Sequence, residues 1–422
     1  VRVTIVGINY GPETTGVAPY STAIAEGLAS RGHQVHMITG LPHYPEWRVA
    51  DDYRHIRRAD TGLNGVGLHR RRHFVPSTAS ARGRIRMEVS FARSVLFSRW
   101  FSPDVVLVVT PALLSAAAVV ARARVLGIPV GVVVQDVYGT GVVETGAMGG
   151  RAAAQVARLE TSVLNGATSV SVIHRRLARV LTDAGVDNAK LRVIRNWAHI
   201  EGGVQLGGNE SARVRLGWKP DETVVLHAGN MGAKQGLENV VAAARLAAAD
   251  DQAPRVRFVL LGNGNKRRAI EELAAGVPTL DIVDSLPDAE FRAALAAADI
   301  LLVNELPGIG DMAVPSKLTS YFIAGKPIIA ATDAASGSAD ELESSGAGVV
   351  VPPGDPQRLL DTVRRVAADQ RLRENLGRNG MRYAEEVLSA DSALNAYEAW
   401  CAELASRGGR RRATADAKSD GA

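Results

Sequence analysis

One cysteine, Cys401, stands among 422 residues. That excludes an internal disulfide framework and any metal site built on several cysteines, and it makes a reducing compartment the natural setting. Other metal signatures are missing too: there is no Asp-x-Asp, no His-Glu-x-x-His, and His33 with His36 has no ligand cluster beside it. The expectation is no bound metal and no resident cofactor. No Gly-x-Ser-x-Gly elbow occurs, so a Ser-His-Asp hydrolase has nothing to rest on. Long apolar runs are also lacking. The best of them, Val105 to Ala121, is broken by Thr110-Pro111 and reads as a buried strand followed by an Ala-rich helix rather than a membrane span. Nothing ahead of the strand Val3 to Val6 reads as a cleavable signal, and a cytoplasmic location is expected.

What is present is a globular composition, 46% hydrophobic and 22% charged, with length enough for two domains of common size. Net charge is +5, unevenly spread: residues 54–99 hold eleven arginines against Asp60 and Glu88, a local +9 that leaves the rest at −4. Arg70-Arg71-Arg72-His73 and Arg82-Gly-Arg84-Ile-Arg86, near Phe91, Trp100 and Phe101, suit peripheral contact with anionic lipid at the inner face of a plasma membrane. They suit a solvated basic face equally well. No nucleic-acid recognition motif accompanies them, and nucleic acid is not an expected partner.

Apolar, β-branched runs alternate with helical stretches. Val3 to Val6, Val35 to Ile38, Val105 to Val109, Val130 to Val134 and Ser169 to Ile173 read as strands; Pro19 to Ser30 reads as a helix stopped before Gly32. After Glu201-Gly-Gly-Val-Gln-Leu-Gly-Gly208 the pattern restarts, with strands at Val224 to His227, Arg257 to Leu261, Ile282 to Val283, Ile300 to Val303, Pro327 to Ala331 and Gly348 to Val351. Continuously apolar strands separated by helices predict parallel sheets covered on both faces, hence two doubly wound domains with a cleft where strand C-termini converge. Helical stretches follow around Arg371 to Val387 and Asp391 to Ala405, and residues 406–422 lack apolar periodicity and read as a disordered tail.

Two segments offer phosphate chemistry. A loop opens a helix at Pro315-Ser316-Lys317, where free N–H groups, a Ser316 cap and the Lys317 charge would attract an anion. In His227-Ala-Gly-Asn-Met-Gly-Ala-Lys-Gln-Gly236, Gly229 and Gly232 permit close backbone approach and Lys234 can meet phosphate. Leu261-Gly-Asn-Gly-Asn265 adds a second glycine turn, Gly262 and Gly264. By spacing alone, each also serves as an ordinary turn between strand and helix.

Pro-Ser-Lys-Leu318 followed by Ala-Gly-Lys-Pro327 resembles the donor-binding segment of the family 4 retaining glycosyltransferases, and the likeness spans most of the chain. Gly7 to Gly16, Pro42-His-Tyr-Pro-Glu-Trp47, Gln135-Asp136 and Asn196-Trp197 resemble the branch found in bacterial capsule, O-antigen and colanic-acid-type clusters. The resemblance implies an α/β GT-B fold, two doubly wound Rossmann-like domains facing a central cleft. Residues 1–200 would be the acceptor side, completed by a returning helix at about 388–405, and residues 201–387 would bind the nucleotide sugar. The implied activity moves a sugar from a UDP- or GDP-linked donor to a glycan or polyprenyl-linked acceptor in cell-envelope polysaccharide or glycolipid synthesis. Lys317, Asp311 and Lys234 would serve catalysis. Gly229, Asn230, Gln235, Gly262, Gly264, Leu286, Ser316 and Leu318 would bind the donor, and Tyr10, Glu13, Gly16, His43, Gln135, Asp136 and Asn196 would face the acceptor.

The chain departs from that family in three places. The usual Arg and Lys near Asn230 and Gln235 are replaced by Lys234, one position displaced. The paired Glu positions are Met312 and Ser320, so Asp311 or Glu305 would take the sugar contact. Gln135 stands where relatives carry His; it can orient a hydroxyl but cannot accept its proton at neutral pH. These departures keep two rivals open, a catalytically silent GT-B scaffold subunit and a nucleotide-sugar 2-epimerase.

Overall fold

The computed structural model describes residues 1–77, 81–136, 150–197, 209–250, 254–308 and 317–419. The chain forms two units, one of Val1–Asn196 with Asp391–Ala422, the other of Trp197–Ala390.

The first unit is built on β1 (Arg2–Gly7), β2 (Gln34–Gly40), β3 (Arg58–Leu63), β4 (Val66–Arg71), β5 (Val105–Val109), β6 (Val130–Val134), β7 (Ser169–Val172) and β8 (Leu191–Val193), in the spatial order β3-β4-β2-β1-β5-β6-β7-β8. Every pairing is parallel except β3 with β4. Valine runs such as Val105–Val109 are buried along their whole length, as strands covered on both faces must be. Helices α1 (Ala18–Ser30), α2 (Ala81–Leu96) and α3 (Leu113–Val125) lie between strands. The chain builds outward from β1 to β2 on one side and then starts β5 on the other, so the C-terminal ends of β1 and β5 form a switch point, the usual ligand position of such sheets.

Strands β3, β4 and β8 are additions to the sequence reading. Asn64 and Gly65, with φ of 49° and 79°, make the tight turn between β3 and β4. The arginines of β4 hide its apolar alternation, because Arg70 and Arg71 are themselves buried.

The second unit carries β9 (Thr223–Ala228), β10 (Val256–Leu261), β11 (Leu280–Val283), β12 (Ile300–Asn304), β13 (Ile328–Ala331) and β14 (Gly348–Val351), all parallel in the order β11-β10-β9-β12-β13-β14. Alternation along β9 sends Val224 and Leu226 into one core and Val225 into the other, so the sheet is filled on both faces. Here the switch point lies between β9 and β12, and α4 (Lys317–Ala324) follows β12.

Helix α5 (Ala390–Ser419) returns to the first unit. Tyr397, Trp400, Cys401 and Leu404 are buried there, and the Trp400 indole donates to Ser169 Oγ at 3.1 Å. A Cβ on Gly131 would lie 2.8 Å from the Trp400 ring, so the glycine in β6 makes room for it. Burial also pushes the Cys401 thiol up to about 12, which leaves it an inert packing group. The sequence reading ends this helix near Ala405, whereas the assigned helix continues to Ser419; no proline interrupts the segment, and its Arg, Ala and Lys content favours helix. Among the described residues no helix is long and apolar enough to cross a membrane.

Candidate functional site

At the switch point of the second unit, β9 ends in a backbone cup. Gly229 has φ of 128° and Gly262 has φ of 140°, both outside the range side chains favour. A Cβ on Gly262 would come within 2.0 Å of the Gly229 carbonyl oxygen, and one on Gly264 within 2.4 Å of the Met231 oxygen. The two turns therefore pack backbone to backbone, joined by Gly229 N–H to Leu261 O at 2.8 Å and Met231 N–H to Asn263 O at 2.8 Å. Asn304, at the end of β12, ties the rest of the first turn by donating to Gln235 O at 2.8 Å and Gly236 O at 2.9 Å.

Lys317, the first residue of α4, stands beside this cup. Its Nζ and Cε lie 3.6 Å from where a Gly229 Cβ would be. The amine is 3.1 Å from His227 Nε2, and the opposite ring nitrogen donates to Leu302 O at 3.2 Å. His227 is 0% exposed, and burial, with the Lys317 charge, holds its pKa well below the ordinary value. Desolvation lowers Lys317 to about 8 against the favourable field of the Glu305 carboxylate. Glu305 is itself held by the Thr332 and Ser338 hydroxyls, the latter at 2.8 Å. One turn along α4, the Tyr321 hydroxyl accepts from Ala228 N–H at 2.8 Å and pins the strand end. The geometry offers a lysine beside open backbone at a switch point, which is what a phosphate group requires.

The other expected donor residues are distributed around this cup. Asn230 and Lys234 are exposed on the turn, and Gln235 accepts from Gly232 N–H at 3.0 Å, spending its carbonyl on the turn itself. Leu286 packs at the edge of the core, and Leu318 is 1% exposed inside it. Asp311 and Ser316, together with Met312 and Pro315, lie outside the described residues. His227, Asn304 and Tyr321 are the residues that sequence reasoning passed over. A histidine ending an apolar strand was the one available signal.

In the first unit the loop after β1 is closed by Glu13. Its Oε1 accepts from His43 N–H at 2.7 Å and Tyr44 N–H at 2.9 Å, and Oε2 accepts from Asn9 at 2.8 Å. Tyr10 is buried with its hydroxyl on Glu26, and His43 is buried with Nδ1 donating to Leu41 O at 2.9 Å. These three form the frame of the loop and are not presented at its surface. Gly16, with φ of 65°, lets the Tyr44 ring lie against the backbone. Gln135 and Asn196 are brought together, Asn196 Nδ2 donating to Gln135 Oε1 at 2.7 Å, while Gln135 Nε2 and Asn196 Oδ1 have no partner among the described residues. Asp136 is exposed beside them.

The arginine-rich segment divides differently from the sequence reading. Arg70 and Arg71 are interior groups: Arg70 donates to Gly11 O and lies 5.1 Å from the Tyr53 ring, and Arg71 pairs with Asp60 at 2.7 Å. Phe91 and Trp100 are in the core, and Phe101 stacks on His36 and His69 at 4.1 Å each. The outward face belongs to α2 instead. Ile85, Val89 and Leu96 are 40%, 52% and 40% exposed, and Phe97 just beyond is 84% exposed, with Arg82, Arg86 and Arg93 alongside. A groove of about 1300 Å³ between α2 and the segments around Trp47 and Phe74 is lined by five arginines and no carboxylate. Arg86 sits 4.3 Å from the Phe74 ring. Among the described residues no group of three or more His, Cys, Asp or Glu could hold a metal ion.

The glycosyl transferase 4-like domain family matches residues 15–197, and the glycosyl transferases group 1 family matches residues 208–383. The chain is 28% identical over 413 residues, 94% of this chain and 98% of the relative, to WcaI of Escherichia coli (strain K12), assigned as a colanic acid biosynthesis glycosyl transferase. It is 30% identical over 314 residues, 72% of this chain and 73% of the relative, to a GDP-mannose-dependent alpha-mannosyltransferase of Mycolicibacterium smegmatis (strain ATCC 700084 / mc(2)155). In fold it is similar to Anabaena Alr3699/HepE in complex with UDP, with a TM-score of 0.65 and 14% identity over 96% of this chain and 100% of that one.

Proposed function

The chain belongs to the family 4 glycosyltransferases, and from that premise we propose that its second unit holds a UDP- or GDP-linked sugar over the Gly229 and Gly262 turns, with Lys317 meeting the leaving diphosphate. The chain is a retaining glycosyltransferase of GT-B type, acting in polysaccharide or glycolipid synthesis with a nucleotide-sugar donor. A departing nucleoside diphosphate gathers negative charge in the transition state, and a preorganised cation beside open backbone lowers that barrier. The observation that carries the reading is the Lys317 amine beside a turn that has no side chain to cover it. Lys234, exposed on the same turn, and Asp311 are assigned to the diphosphate and the sugar respectively. The departing phosphate oxygen would help take the acceptor proton during same-face attack, a role Gln135 cannot fill. Gln135 and Asn196 would instead orient the acceptor hydroxyl through their free amide groups.

A UDP complex among the similar folds and a GDP-mannose-dependent enzyme among the relatives both support a UDP- or GDP-linked donor. The test is the melting temperature with UDP, GDP and their sugar conjugates, since ligand at about a hundred times its Kd adds roughly 2.7 kcal/mol. Selective stabilisation by one base, lost in Lys317→Ala while the variant stays folded and loses turnover, is the expected result. Unchanged melting with every nucleotide would overturn this placement of the donor.

For the acceptor we assign a glycan or polyprenyl-linked molecule, reached at an anionic membrane through α2. An apolar stripe flanked by arginines suits a helix lying in the headgroup region. Wild-type protein should co-sediment with vesicles containing phosphatidylglycerol and not with pure phosphatidylcholine. Val89→Ser with Phe97→Ser should release it, and equal binding by that double variant would remove α2 from the assignment.

A further inference from the structure

Lysines that meet phosphate normally stand free or beside a carboxylate, yet the described partner of Lys317 is a neutral ring. His227 Nδ1 faces the Leu302 carbonyl at 3.2 Å, the Asn230 carbonyl also acts on the ring, and the Lys317 amine meets Nε2; a carbonyl only accepts and an ammonium only donates, so the tautomer that serves both ring nitrogens carries its proton on Nδ1. Nε2 is then a lone pair, 3.1 Å from the Lys317 amine, and the amine is the donor. The ring is fully buried at the end of β9, packed where a protonated imidazole would be costly, so it stays an acceptor. Of the three N–H groups on the ammonium, one is fixed by Nε2, and the other two have no hydrogen-bond partner among the described residues. Gly229 puts no side chain between the amine and the backbone of the turn.

Building on the donor site assigned above, we propose that His227 is a positioning residue: a neutral post that fixes the Lys317 ammonium toward the donor diphosphate without cancelling its charge. A carboxylate in the same place would orient the amine equally well, but it would neutralise the cation the diphosphate needs. An apolar residue would leave the ammonium buried with one N–H unsatisfied and favour loss of its proton. The charged group that faces the amine from a neighbouring element is Glu305, at the end of β12, restrained by Thr332 and Ser338. On its own helix the Tyr321 hydroxyl is engaged with the Ala228 backbone. Neither takes the place of Nε2.

The consequence is a pH signature that a packing role alone would not produce. Binding of UDP or GDP, measured by calorimetry between pH 6.5 and 9.5, should weaken as pH rises through the range where Lys317 loses its proton. In His227→Leu that alkaline limb should move to lower pH by about one unit, roughly a tenfold loss of affinity at a fixed pH on the limb. His227→Gln, whose carbonyl can reach the position of Nε2, should restore it toward the wild-type pH. If His227→Leu binds with the wild-type limb, the positioning role is wrong even though the donor site stands. If Lys317→Met binds UDP and GDP as the wild type does at every pH, the donor-site reading itself fails. Should His227→Leu not fold, ¹⁵N spectra of the wild-type histidines decide: His227 should remain the neutral Nδ1–H tautomer from pH 5 to 9, and an Nε2–H or doubly protonated ring overturns the proposal.

Discussion

Gly262 sets how close the two glycine turns can come. A methyl group there would meet the Gly229 oxygen at 2.0 Å on a backbone already at φ of 140°, so Gly262→Ala must push the turns apart. The expected cost is about 1–3 kcal/mol, read by urea unfolding, together with loss of nucleotide-dependent stabilisation. Lys317 gives a second signature at this scale. Its folded pKa of about 8 lies below the ordinary 10.5, so between those values the unfolded chain binds the extra proton. This group's contribution to stability therefore rises with pH across that window, while affinity for a diphosphate falls. Lys317→Met should remove the rise, as denaturant midpoints at pH 7.5 and 9.5 would reveal. Sequence reading could reach the glycines and the lysine because glycine has an uncommon job at a strand end and lysine at a helix start. It could not reach His227, whose meaning depends on the carbonyl of Leu302 one strand away. Nor could it tell that Leu318 turns inward and that Glu13 spends both carboxylate oxygens on its own unit.

Among elements, the strands legible in the sequence were those whose apolar runs are unbroken, such as β5 and β6. The hairpin of β3 and β4 escaped because its buried positions include His69 and Arg71, which pair with Asp60, and Arg70, which donates to the Gly11 carbonyl, rather than following a hydrophobic pattern. Asp60 is raised by burial, but hydrogen bonds from Arg71, His69 and Arg58 outweigh that and hold it well below the usual carboxylate range. Asp60→Asn should therefore loosen the hairpin selectively, seen as faster hydrogen exchange in β3 and β4 with β5 unchanged. Helix α2 was legible as basic, but which of its residues face outward follows only from packing against α3. Arg122 shows that packing directly by donating to the carbonyls of Leu96 and Ser98 at 2.6 and 3.0 Å.

On the scale of the whole molecule, two sheets with separate cores make two cooperative bodies, and the cup proposed for the donor belongs to one of them. Calorimetry should resolve two transitions, with UDP or GDP raising only the one that belongs to the second unit. Trp400→Ala should lower the other by an amount equivalent to about 3–5 kcal/mol, because the indole is wholly buried and its Ser169 hydrogen bond is lost as well. The doubled architecture was readable from the restart of the strand pattern after residue 208, since periodicity is a local property that survives without coordinates.

Trp400 also sets an order of events during synthesis. The strands of the first unit leave the ribosome early, but the indole that fills the space left by Gly131 is translated only after every strand of both units. The second unit has all its strands in hand before then, so the part made later is finished first, and the part made earlier must wait with one side of its core open. Released chains truncated just short of residue 400 should thus have a protease-resistant second unit and a protease-sensitive first one.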